Sequence, residues 1–202
     1  MRFSLLLFLL LIAAPAGAVV LDFEDLSVGD HFVFGDVFFT NSVMIDVEPF
    51  QWSNGNFGAN FSEVDDQLFS GGTGNDLEIN NVNLDIEIPD GITSMSLLFG
   101  EYGGNLNVNV NGDFRNFDNF DDIDGLSIGG LAINVVALGD DTGRLELSGG
   151  TINLFKIGGQ ELWVDNIAIV PQPGTMVLLA SGLAGLALAS RRRFVQDAGA
   201  AG

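Results

Sequence analysis

The chain has 202 residues, room for one ordinary domain with additions at its ends. With 27 acidic residues against seven Lys and Arg it carries a formal charge of −20, which excludes the basic surface that nucleic-acid binding needs. It contains no cysteine and one histidine, which removes disulfides, thiol catalysis, Cys-ligated metal and His-rich metal sites. Mean hydropathy is +0.34, high for a purely soluble chain.

Residues 1–18 read as a signal peptide. Arg2 supplies the positive start, Phe3 to Ala14 the apolar segment, and Ala16-Gly17-Ala18 a small-x-small cleavage site. The mature chain is expected to begin at Val19.

Residues 19–170 form the expected ectodomain. Setting aside Arg2, Arg191–Arg193 and Asp197, it holds 26 acids and three basic residues, a formal −23. Such a domain repels anionic polymers and attracts divalent cations. No stretch has helical periodicity. In Val82–Ile88 the residues Val82, Leu84, Ile86 and Ile88 alternate with Asn83, Asp85 and Glu87, before a turn at Pro89-Asp90-Gly91. Leu106, Val108 and Val110 alternate with Asn107 and Asn109, and Asn111-Gly112 is a hairpin turn signal. Period two with one polar side predicts strands with one wet face. Ser96–Phe99, Ile133–Leu138 and Leu162–Val170 are apolar on both parities and are expected centrally. The fold predicted is all-β, an antiparallel jelly-roll-like β-sandwich. Residues 75–81 and 160–166 resemble each other and are read as matching strands in two related sheets, or as chance.

Two groups of acids could hold calcium, which takes six to eight oxygen ligands. Asp22, Glu24 and Asp25 are placed on the first strand and Asp165 on the last. Neighbouring strands would bring these carboxylates together at a cost that a cation removes; otherwise each points alone into water. The second group is Asp121, Asp122 and Asp124, in the densest acidic run. Its spacing is not that of an EF-hand, because Phe120 and Leu131 would fall at positions one and twelve. A looser calcium loop and a solvated acidic turn both fit.

For a saccharide, Trp52 in the loop Phe50–Phe57 offers a ring among short amides, and Tyr102 beside Gly103-Gly104 offers a hydroxyl. Large aromatics also serve as core, the role expected of Trp163. No catalytic constellation stands out. Glycosidases need two carboxylates, which an acidic chain supplies without specificity. His31 reads as a strand residue with no GxSxG serine to serve, and Lys156 is the only lysine. The chain is read as non-enzymatic.

The C-terminal segment opens with Pro171, Gln172 and Pro173. An apolar stretch over 175–190 follows, about 24 Å long as a helix, and then Arg191, Arg192 and Arg193. The arginines favour a cytoplasmic end for this expected transmembrane helix. Residues 194–202 form a short tail. The order of parts over 171–193 resembles the PEP-CTERM sorting signal, with Gln172 where the family usually has Glu. That resemblance implies an exosortase-type sorting enzyme as partner and transient residence in the inner membrane. It further implies delivery to the cell surface or medium in hosts that build exopolysaccharide. The strings Phe99–Asp113 and Phe155–Val170 are similar to exported passengers of this tail, whose domains are lectin-like or galactose-binding-like sandwiches. The function expected is a structural or adhesive component of an extracellular polysaccharide or biofilm matrix, with polysaccharide or matrix proteins as partners. The alternative is a calcium-assisted carbohydrate-binding module, and a carbohydrate-active hydrolase is the third reading.

Overall fold

The computed structural model describes residues 17–139 and 141–172, together with Gly182. The signal peptide up to residue 16, Pro173, the expected helix 175–190 apart from Gly182, Arg191–Arg193 and the tail 194–202 lie outside the described residues. No described helix is long and apolar enough to cross a membrane. Gly17–Pro171 forms one compact unit.

Within it the described residues form sixteen strands. They run β1 (Val19–Leu21), β2 (His31–Val33), β3 (Val37–Thr40), β4 (Val43–Gln51), β5 (Phe57–Gly58) and β6 (Phe61–Asp65). Then come β7 (Asp76–Asn80), β8 (Val82–Ile86), β9 (Ile92–Glu101), β10 (Leu106–Val110) and β11 (Asp113–Phe117). After a 3₁₀ turn at Phe120–Ile123 follow β12 (Ser127–Ile128), β13 (Leu131–Gly139), β14 (Thr142–Ser148), β15 (Phe155–Gly159) and β16 (Leu162–Pro171).

All pairings are antiparallel and build two sheets, a β-sandwich. The first has the order β12-β13-β14-β9-β16-β7-β6-β2, with β1 also on β16. The second has the order β11-β10-β15-β8-β4-β3, with β5 on β4. Alternation decides which side chains meet between the sheets. Leu84 and Ile86, Leu106 and Val108, Phe155 and Ile157 leave the second sheet inward. Ile79, Leu97, Leu145 and Val164 come from the first, all in one buried cluster. Each such side chain contributes about 1.5–3 kcal/mol on burial.

The hairpin at Asn111-Gly112 forms as predicted. Both residues have positive φ, 52° and 88°, which the right-handed twist of a two-residue turn requires. Three expectations need correction. Ile133–Leu138 belongs to β13, next to the short edge strand β12, and on its second parity Asn134 and Leu138 are exposed, with no described strand over that face. The look-alike segments 75–81 and 160–166 contribute β7 and β16 of the same sheet, where they pair directly (Leu162 with Ile79, Val164 with Leu77). Asp22, Glu24 and Asp25 lie beyond β1, which ends at Leu21; the chain turns there, with Phe23 at φ 56°.

Candidate functional site

One edge of β16 is shared by two strands placed end to end. β7 pairs with Leu162–Val164 and β1 with Ile167–Ile169. Between them the ladder shifts at Asp165-Asn166, and Asn166 has φ 50°. A bulge of this kind re-aims a side chain. Asp165 is fully buried here, under the glycine-rich loop Ser70–Asn75.

Asp65, Asp76 and Asp165 form a row of buried carboxylates on β6, β7 and β16. Asp65 pairs with Asp76, and Asp165 stands one rung past the Val164–Leu77 pair. Asp65 accepts from the Trp163 indole Nε1 at 2.8 Å and from Gln67 N at 3.0 Å. Asp165 accepts from Asn166 N and Nδ2, each at 2.6 Å, and from Thr73 N at 3.3 Å. Asp76 Oδ2 accepts from Ser70 N at 2.8 Å, but its Oδ1 is buried with no hydrogen-bond partner. Burial lifts the Asp165 carboxyl to about 7, with the charges of Asp76 and Asp22 adding to the rise and its hydrogen bonds opposing it. Burial also raises Asp76, the nearby charge of Asp65 contributing, while bonds from Ser70 and Phe69 act against it. An orphaned buried carboxylate oxygen is costly unless a proton or cation meets it.

The same loop reaches the first turn. Asn75 N donates to Glu24 Oε1 at 2.8 Å, and Asn75 Nδ2 donates to the Phe23 and Leu26 carbonyls. A side chain at Gly72 or Gly74 would have to displace a carboxylate. A Cβ at the first would overlap Asp165 and at the second Glu24, so the backbone lies directly against both carboxylates. The structure thus gathers Asp22, Glu24 and Asp165 around one loop and adds Asp76. Asp25 stays apart, with its carboxylate bound by Thr40 Oγ1 at 2.6 Å and Asn41 N at 2.8 Å. Burial pushes Asp25 up, but these bonds outweigh it and hold its pKa below the usual value. Among the described residues no three acidic or imidazole side chains converge as a ready cage for a metal ion.

The second acidic group behaves differently. Asn119 caps the 3₁₀ turn by accepting from Asp122 N at 3.1 Å. Asp121 and Asp122 are exposed, and Asp124 accepts from Val135 N at 2.8 Å, pinning the turn to β13. Asp121 and Tyr102 line one cavity of about 620 Å³ with Glu101, Asp118 and Asp141. Burial lifts Glu101 to about 7. The charges of Asp121, Asp122 and Asp141 reinforce that rise against the bond donated by Phe120 N.

Trp52 turns back onto its own hairpin. Its ring meets Phe50 edge-on at 5.0 Å and its indole lies against Gly58, leaving Phe57 as the exposed ring of the loop. Trp163 is not in the core between the sheets. It is half-buried on the outer face of the first sheet, edge to face with Phe69 and Tyr102. Its indole N–H requires an acceptor, and Asp65 lies on that outer side. His31 is on β2, paired with Glu63 at 3.0 Å.

The fold and these clusters define a two-sheet, acidic β-sandwich that ends in a polar-to-apolar tail. Residues 170–193 match the PEP-CTERM protein-sorting motif, beginning at the penultimate residue of β16. That motif indicates an exported protein, anchored in a membrane and sorted toward the cell surface, and implies processing by an exosortase-type enzyme. No curated protein and no solved structure matches the chain.

Proposed function

We propose that this protein is a non-catalytic structural or adhesive component of an extracellular polysaccharide matrix. The observation that carries the reading is the sorting motif at 170–193, directly continuous with the last strand of a sandwich whose formal charge is −23. Export places such a domain among surface polymers, and its charge keeps it soluble there. The experiment is deletion of the protein from its host, with re-expression of the full chain or of a variant lacking residues 171–193. Matrix cohesion should fall on deletion and return only with the full chain. Unchanged cohesion on deletion contradicts the reading.

A second reading, calcium-assisted carbohydrate binding, is favoured by the orphaned Asp76 Oδ1. Asp76 and Asp165 are the side chains that would meet the ion, and Asp22 and Glu24 on the adjoining turn would have to draw in to join them. Calcium there would offset the repulsion between these carboxylates. Co-sedimentation of the full chain with the host polysaccharide, in calcium and in EDTA, tests it. Binding that is equal in the two conditions removes the calcium.

A further inference from the structure

The outer face of the second sheet carries two polar rows. One crosses β4, β8, β15, β10 and β11 as Glu48, Asn83, Gly158, Asn107 and Asn116. Two residues along each strand lies the other, Asp46, Asp85, Lys156, Asn109 and Phe114. Asn83 and Asn107 face outward yet are only 7% and 1% exposed, because their amides interlock. Asn116 Nδ2 donates to Asn107 Oδ1 at 2.7 Å and Asn107 Nδ2 to Asn83 Oδ1 at 3.1 Å. Asn83 Nδ2 in turn donates to the Pro49 carbonyl at 2.7 Å. A carbonyl can only accept, so the Pro49 end fixes the orientation of every amide in the chain. Asn83 and Asn107 meet across Gly158, where a Cβ would overlap Asn83 Oδ1.

Above this floor is a groove of about 240 Å³ whose lining includes Gln51, Phe57, Asn109, Phe114 and Lys156. It is smaller than the roughly 300–1,000 Å³ of sites that enclose a whole small molecule. Phe57 is 66% and Phe114 37% exposed. Rings left in water beside oriented amides suit a ligand with apolar C–H faces and hydroxyl edges. The Lys156 ammonium is bound by Glu48 and Asp85, each at 2.7 Å, so the groove offers no spare cation to an acidic polymer.

We infer that this groove binds a neutral, hydroxyl-rich polysaccharide. One sugar unit rests on Phe57 and Phe114, and its hydroxyls meet the amides of Gln51 and Asn109. The inference rests on the adhesive reading and names the surface and ligand class behind it.

The test is affinity electrophoresis of the full-length chain in mild detergent. The gels contain hydroxyethylcellulose, galactomannan or dextran as neutral probes and alginate as the anionic one. At least one neutral polymer should retard the protein, and alginate should not. Phe57→Ala with Phe114→Ala should weaken that retardation about tenfold with an unchanged melting temperature. Gln51→Ala, at a half-buried position, should weaken it by a smaller factor. Retardation by alginate alone, by no neutral probe, or undiminished in these variants overturns the inference. The matrix reading would survive that result if deletion still reduced cohesion, since protein contacts could supply the adhesion.

Discussion

Asp76 and Asp165 stand on neighbouring strands one rung beyond the Leu77–Val164 pair, both fully buried. Asp76 keeps one carboxylate oxygen without a partner. Two desolvated carboxylates side by side favour protonation or a cation, and stability should report which is present.

The first prediction concerns pH. The folded-state pKa of Asp165 is raised to about 7, so between about pH 4 and about pH 7 the folded chain holds a proton that the unfolded chain releases. Stability without divalent cations should therefore fall as pH rises through that window. Glu101, also raised to about 7, acts in the same direction. Thermal melts in EDTA should give a higher Tm near the acid end than near neutrality. Asp165→Asn should narrow the difference, and a difference of unchanged size would remove Asp165 as a contributor.

A second prediction follows from the calcium-assisted reading. At neutral pH and constant ionic strength, calcium should raise Tm, because an ion bound only by the folded state stabilises it. Holding ionic strength constant separates site binding from general screening of the −23 domain. Asp76→Ala should abolish the calcium increment while Asp121→Ala and Asp122→Ala retain it. An increment that survives Asp76→Ala would place the ion elsewhere.

The third prediction concerns Gly158. An added Cβ would overlap Asn83 Oδ1 and crowd the Val82 carbonyl, and the backbone atom cannot rotate away. Gly158→Ala should cost about 1–3 kcal/mol, seen as a lower denaturant midpoint at unchanged slope. A midpoint equal to that of the parent would show that the amide row yields easily.

Much of the fold was legible because it rests on alternation. Val82–Ile86 and Leu106–Val110 became strands β8 and β10 with their asparagines outward, and Asn111-Gly112 closed the hairpin after β10. Ser96–Phe99 and Leu162–Val170, apolar on both parities, are in β9 and β16 at the middle of the first sheet. Less of the site could be read. The link between the first turn and the last strand was read as Asp22, Glu24, Asp25 and Asp165, but Asp25 turns away to Thr40 and Asn41. Asp76 was not read, since its burial depends on the fold-back of Ser70–Asn75, a long-range contact. The spacing Ser-Gly-Gly-Thr-Gly-Asn-Asp at 70–76 was the available signal, a glycine-dense loop ending on an acid. The amide row was hidden for the same reason. Asn107 and Asn116 face each other across one hairpin, but Asn83 is on β8, beyond β15, and only strand order brings it into line with them.

The central claim is that the protein is delivered to the extracellular matrix and works there. Its most direct test is to fractionate host cells and measure the location and C-terminal peptide of the protein by mass spectrometry. The account predicts recovery from the matrix fraction with the segment bearing Arg191–Arg193 removed. Full-length protein confined to the inner membrane would contradict it.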